Sequence, residues 1–324
     1  MSVISNSLWR KGLVLAVIIS IAAVWAACRP DSGAPTGLGA KANPDFVVAP
    51  SAANANTLYL VNKSSIASIP YWNVSWTVGS TNVNQKFSKD SASLYFPFSG
   101  SYALNVTLLV AANGGLDSVT RTVNVTIAQN DPTACQHSVQ GFIASCSQKV
   151  WQLAPVAYAE EVGPAENDGS YFGTGANEVT GDRICDFNDS YTFVFNAAGT
   201  FNFDNKGDFY ADAYMGNGNN DCENNSVLSP AQLPWASGNF TYNVSSTGGS
   251  AGLGQLTVNG LGAHIGIAKV QGNGNADNTT APSATSITYD ILSMGHNTSG
   301  NYDSLILATT TTYGAWTYQL RSND

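Results

Sequence analysis

CDFNDSYTFVFNAAGTFNFDNKGDFYADAYMGNGNNDC, residues 185–222, is the stretch whose reading decides the fold. Tyr191, Phe193 and Phe195 alternate with Ser190, Thr192, Val194 and Asn196. Ala197, Ala198 and Gly199 make a turn, and Phe201 and Phe203 alternate after it with Thr200, Asn202 and Asp204. Period-two alternation on both sides of a Gly-containing turn marks a β-hairpin with one aromatic and one polar face. A cysteine at each end is placed to staple the hairpin to the Asn/Gly-rich loop behind it.

Upstream, the first residues read as a targeting segment rather than fold. Arg10 and Lys11 precede an apolar run of 16 residues, Gly12 to Ala27, which is short for a membrane span of about 20. It ends on Ala26-Ala27-Cys28, and a Pro/Gly/Ser-rich tether follows to about residue 43. Small residues before a single Cys resemble a bacterial lipoprotein signal. That resemblance makes Cys28 (segment 1–28) the lipidated first residue of the mature chain, although Trp25 stands where such signals usually carry Leu. Removing the signal takes Arg10 and Lys11 away and leaves 11 basic against 22 acidic residues. So acidic a chain, with no basic run, argues against a nucleic-acid or anionic-membrane partner.

Besides Cys28, the chain has Cys135, Cys146, Cys185 and Cys222. Export makes disulfides the default. Three connectivities are open, and proximity favours Cys135 with Cys146 and Cys185 with Cys222. No CxxC pair points to a metal site instead.

Residues 44–128 carry about seven short strand signals, among them Phe46–Val48, Leu58–Val61, Trp72/Val74/Trp76, Leu94–Phe96, Leu104/Val106/Leu108 and Val119–Ile127. This is the pattern of an immunoglobulin-like sandwich. Trp72-x-Val74-x-Trp76, then Phe98-x-Gly100-x-Tyr102-x-Leu104-x-Val106-x-Leu108, then a Gly turn and a closing Val-x-Val-x-Ile strand, resemble a PKD domain. The resemblance implies that the tryptophans fill the core and that the module is a spacer. Residues 129–148 are a linker with a stapled loop.

Residues 149–324 continue as β-structure, with apolar alternation at Trp151/Leu153, the hairpin, Phe240/Tyr242/Val244, Leu256/Val258, Ile265/Ile267, Ile287/Tyr289/Ile291, Leu305/Leu307 and Trp316/Tyr318/Leu320. Outside the signal no amphipathic helical stretch reaches ten residues. The expected class is therefore all-β: an immunoglobulin-like (PKD-like) sandwich followed by a larger, jelly-roll-style β-sandwich. Val150-Trp151-Gln152-Leu153, Tyr171-Phe172, Cys185-x-x-x-Asp189-x-Tyr191-x-Phe193, Trp235-Ala236-Ser237-Gly238-x-Phe240 and Gly262-Ala263-His264-Ile265-Gly266 resemble the C-terminal domain of Bacteroidetes outer-membrane lipoproteins. That group is similar to surface glycan-binding proteins of the SusE/SusF type. The resemblance implies a lipid anchor in the outer membrane, exposure at the cell surface, polysaccharide as the partner and association with a glycan-uptake transporter complex.

The chemistry follows the same line. A glycosidase needs two carboxylates about 5–9 Å apart across the scissile bond. The Glu-x-Asp-x-x-Glu string of family 16 hydrolases, whose β-sandwiches share similar segments, does not occur. His137, His264 and His296 are the only histidines, and there is no Gly-x-Ser-x-Gly, so nucleophilic triads are not indicated. His264, inside the strand-like Ile265/Ile267 run, reads as structural. Asp186, Asn188 and Asp189 form a compact oxygen set suited to calcium, the one cofactor indicated. Sugars need flat aromatic faces with polar neighbours. Tyr171 and Phe172 in a Gly-rich stretch, Tyr210 and Tyr214 beside the Asn-rich loop, and Trp235 are the glycan-binding candidates. The expected function is non-catalytic polysaccharide binding, against a divergent glycoside hydrolase or a structural, adhesive surface protein.

Overall fold

The computed structural model describes residues 39–79, 81–216, 220–271 and 280–323; Cys28 and the signal lie outside them. Two all-β units follow one another. In the first, β1 (Phe46–Pro50), β2 (Thr57–Asn62) and β5 (Ser91–Tyr95) form a three-stranded sheet. Facing it, β3 (Ile69–Val78), β4 (Thr81–Phe87), β6 (Gly100–Ala112) and β7 (Gly115–Ile127) form a four-stranded sheet in the order β4-β3-β6-β7. Even-numbered residues of β3 and β6 point inward. Trp72, Val74 and Trp76 meet Leu104, Val106 and Leu108 in a core with Phe46, Leu60 and Leu94. The Trp72 indole donates to the Lys89 carbonyl at 2.8 Å, and the Tyr102 hydroxyl to that of Phe98 at 2.8 Å, so both polar tips are satisfied at the core's edge. This is the seven-stranded immunoglobulin-like sandwich that the alternation predicts.

In the second unit, β8 (Gln148–Leu153), β11 (Ser190–Val194), β12 (Thr200–Asp204), β15 (Gly238–Ser245), β16 (Gln255–Asn259), β17 (Ser286–Asn297), β18 (Tyr302–Thr310) and β19 (Ala315–Ser322) each hydrogen-bond to the next. β19 then bonds back to β8, with Leu320 opposite Leu153 and Arg321 opposite Gln152. The sheet closes on itself as an antiparallel meander, so it lacks the crossovers of the jelly roll expected from strand count alone. β9 (Glu160–Gly163) continues along β19 beyond β8 and carries β10 (Phe172–Gly173). β13 (Asp208–Ala211) and β14 (Asp221–Asn224) form a separate hairpin.

The opening hairpin is the wall of this ring. Tyr191, Phe193, Phe195, Phe201 and Phe203 are all buried in its core. Tyr191 faces Phe203 and Phe193 faces Phe201 in register, and their rings stack at 5.4 and 4.8 Å. Truncating Phe193 or Phe201 to Ala would cost about 3–5 kcal/mol. Near the 196–199 turn the interior is closed by α1 (Pro132–Gln136) and α2 (Val139–Ala144), tied by the Cys135–Cys146 disulfide. The Trp151 indole donates to the Ile143 carbonyl there, at 2.7 Å.

At the other end, residues 260–271 are not the strand that Ile265/Ile267 alternation predicts. They enter the ring as an irregular plug in which Ala263, Ile265 and Ile267 are buried. A buried loop must find partners for its backbone. Two core tyrosines supply them: Ile265 N–H donates to the Tyr289 hydroxyl at 2.9 Å and Gly266 N–H to the Tyr191 hydroxyl at 3.0 Å.

Candidate functional site

The plug end of the ring is covered by α3 (Ala176–Val179), α4 (Ile184–Asn188) and the β13–β14 hairpin. The Cys185–Cys222 disulfide joins α4 to β14, as proximity in sequence favoured. Beneath this cover lies a buried set of charges. Arg183 Nη1 is 3.0 Å from Asp186 Oδ2 and 3.5 Å from Glu160 Oε2, and Nη2 is 3.9 Å from Asp212 Oδ1. Lys269 Nζ is 3.4 Å from Asp212 Oδ2. Glu160 points inward because β9 pairs it with Tyr318, whose ring is in the core. Burial, reinforced by Asp186 and only partly offset by Arg183, pushes the Glu160 carboxyl up to about 8. Burial also raises Asp186, to about 6, against the pull of Arg183. Asp189 rises well above the carboxylate range through burial and the neighbouring Asp186 and Asp208.

This cluster takes up three of the sequence-derived candidates, Asp186, Tyr210 and Phe172. The Tyr210 ring lies 3.7 Å from the Arg183 guanidinium carbon and the half-buried Phe172 ring 5.0 Å from it, so both aromatics serve a cation of the protein itself. Trp235 is buried against Met215 and Leu228 and is core, not a sugar platform. The side chain of Tyr214 lies outside the described residues. The calcium set is engaged within the protein: Asp186 binds Arg183, Asn188 donates to the Asp208 carboxylate at 3.4 Å, and Asp189 is buried. Among the described residues no group of three or more His, Cys, Asp or Glu side chains is gathered for a metal. His264 is buried in the plug, its Nδ1 2.7 Å from the Gly262 carbonyl and its ring edge-on to Phe203. Burial lowers it to about 4, which keeps it neutral; its role is structural.

Among the aromatic candidates whose side chains are described, only Tyr171 stays in solvent, 54 % exposed. It sits just before β10, where its N–H donates to the Val162 carbonyl. Its ring lies 5.6 Å from that of Tyr313, 40 % exposed in the β18–β19 turn, at an interplanar angle of 59°. Tyr158, also exposed, flanks them. A Cβ at Gly169 or Gly173 would collide with the Tyr158 ring, so glycines two residues either side of Tyr171 make room for it on one face. Glu161, opposite Gly173 in register, brings a carboxylate to the same face. Burial, with the nearby Asp168 charge, raises that carboxyl. The arrangement is an exposed aromatic surface with the buried Glu161 carboxyl behind it, and it offers contact rather than a nucleophile. Tyr158, Tyr313 and the Arg183–Glu160 pair escaped the sequence reading; only the Gly169/Gly173 spacing around Tyr171 hinted at a packed ring there.

No family model matches the chain, and no curated protein matches it. Among solved structures it is similar to the PKD1 domain of Vibrio anguillarum Epp, at 21 % identity and a TM-score of 0.19, covering 27 % of this chain and 96 % of that one.

Proposed function

We propose that this chain is an exported, lipid-anchored surface protein whose second domain binds polysaccharide without catalysis, with the immunoglobulin-like module between that domain and an anchor at Cys28. Its setting is the outer membrane, where it presents glycan to an uptake transporter. The observation that carries the reading is the exposed Tyr171–Tyr313 pair. Two tilted rings at the sheet margin suit the C–H faces of a sugar chain, and the half-buried Asp168 carboxylate nearby suits its hydroxyls. Binding of this kind needs no cofactor. Of the second domain's other acids near the plug, Glu160 and Asp186 are engaged by Arg183, and Asp212 by Arg183 and Lys269, which favours binding over hydrolysis at those three.

The test is affinity electrophoresis of the exported protein in gels holding single polysaccharides, with and without calcium, followed by product analysis on any hit. Retardation by at least one glycan is expected, with loss of retardation in Tyr171→Ala and Tyr313→Ala and an unchanged circular-dichroism spectrum. Mobility unaffected by every glycan, or retained in both variants, refutes the assignment. Released oligosaccharide moves the reading to a glycoside hydrolase.

A further inference from the structure

The register of the first domain divides the outer face of its four-stranded sheet sharply in two. Ile69 lies opposite Ala111, and Ala111 opposite Leu116, so these three form one row across β3, β6 and β7. Tyr71, Leu109 and Ser118 form the next row. All belong to the odd or outward-facing positions, because Trp72, Leu108 and Val110 between them are core. Beyond these rows the same face is Asn73, Thr107 and Thr120, then Ser75, Asn105 and Thr122. Hydroxyls and amides cover one part; aliphatic and aromatic groups, with Ser118 at the β7 edge, cover the other. Ile69 is 58 % exposed, Leu116 60 % and Tyr71 46 %. Such a contiguous exposed patch marks a surface that meets something.

Its position indicates what. Gly39 and Ala40, where the described chain begins, line a groove with Ile66, Ile69, Ala111 and Ala112. Gly39 is eleven residues after Cys28. At ~3.3–3.6 Å per residue, a lipidated Cys28 holds this end of the domain within about 40 Å of the bilayer. The charged neighbours Lys41 and Asp117 pair with each other at 3.2 Å, so a neutral surface meets no lone charge from them.

We propose that the apolar end of this sheet rests in the headgroup–acyl boundary of the lipid surface, with Ile69 and Leu116 inserted and Tyr71 at headgroup level. The proposal rests on the acylation of Cys28. One lipid attachment and one apolar patch reinforce each other, since the anchor keeps the patch at high local concentration. The first domain is then a foot on the membrane rather than a free stalk, and it fixes the direction in which the second domain faces.

The test uses the full chain, exported in a bacterial host with a fatty-acid label that scores acylation separately. Three variants, Ile69→Cys, Leu116→Cys and Thr122→Cys, carry an environment-sensitive fluorophore and are placed in phosphatidylcholine vesicles. Blue-shifted emission, most of it quenched by brominated lipid, is expected at 69 and 116 but not at 122. Unshifted, unquenched emission at 69 and 116 overturns the proposal even where the label is incorporated. If the label is missing, acylation fails as a reading. The same probes on unacylated protein mixed with vesicles then decide the patch, with quenching at 69 and 116 alone upholding it and none overturning it. A shift at 69 that tracks protein concentration without lipid identifies a second copy as the occupant and also overturns it.

Discussion

The guanidinium carbon of Arg183 lies 3.7 Å from the centre of the Tyr210 ring while its Nη1 is 3.0 Å from Asp186. One side chain thus meets an aromatic face, the buried Glu160 and the half-buried Asp186 and Asp212 at the end of the ring. Removing it leaves those acids uncompensated in a low-dielectric site. Arg183→Met is expected to lower unfolding free energy by about 3–5 kcal/mol, as for other broken buried pairs. Urea denaturation measures this. A loss within the ~0–1 kcal/mol of a surface pair would show that the cluster carries no structural weight.

The same cluster sets a pH dependence. Glu160, raised to about 8 from 4.5, holds a proton when folded that the unfolded chain releases. Its contribution is therefore complete below about pH 4.5 and is lost as pH rises through about 8. His264 works on the acid side. Lowered from 6.5 to about 4, it refuses a proton that the unfolded chain accepts, so on the order of 3 kcal/mol of stability drains away as pH falls from 6.5 towards 4. Urea midpoints at pH 4.5, 6.5 and 8.5 should show Glu160→Gln flattening the alkaline fall and His264→Gln the acidic one. Slopes identical to the parent in both variants would contradict this account.

The Cys185–Cys222 disulfide closes a loop with a sequence separation of 37, between α4 and the β13–β14 hairpin that covers the charges. In the chain-entropy model it contributes roughly 3–4 kcal/mol. Cys185→Ala/Cys222→Ala should unfold at correspondingly lower urea. Its amide hydrogens should exchange faster in residues 205–224 before those of β11 and β12. Uniform loss of protection across the ring would mean the hairpin is not a separable cover.

What alternation could reveal, it revealed: the five hairpin aromatics, Trp72 and Trp76 are buried where period two places them. β4 was harder because it is an edge strand with Asn82, Asn84 and Lys86 outward and only half-buried Val83 and Phe87 inward. The plug misled for the opposite reason. Ile265 and Ile267 alternate and are buried, yet their backbone bonds go to tyrosine hydroxyls and not to a neighbouring strand. Alternation fixes which face is buried, not which strand is next, so ring closure through Leu153 and Leu320 had no local signal. The charge cluster assembles Glu160, Arg183, Asp212 and Lys269 from distant segments, so the contact of Tyr210 and Phe172, glycan-binding candidates by sequence, with that cation had no local signal.

The two domains are joined by more than a linker. Asn130 Nδ2 donates to the carbonyls of Cys146 and Phe195 at 2.9 and 3.0 Å, while its Oδ1 accepts from Ser99 N–H at 2.8 Å. Beside it the Phe98 and Phe195 rings lie 5.0 Å apart. An amide bonded to both units, next to an aromatic contact worth about 0.5–1.5 kcal/mol beyond its area, should hold one orientation. Asn130→Ala/Phe98→Ala is expected to leave each core folded and to uncouple them. Two separate thermal transitions should replace a single one, and the largest dimension seen by small-angle scattering should broaden and grow. If scattering and melting match the parent, the junction is fixed elsewhere, and the β3–β4 turn against Ala197 is the next contact to cut.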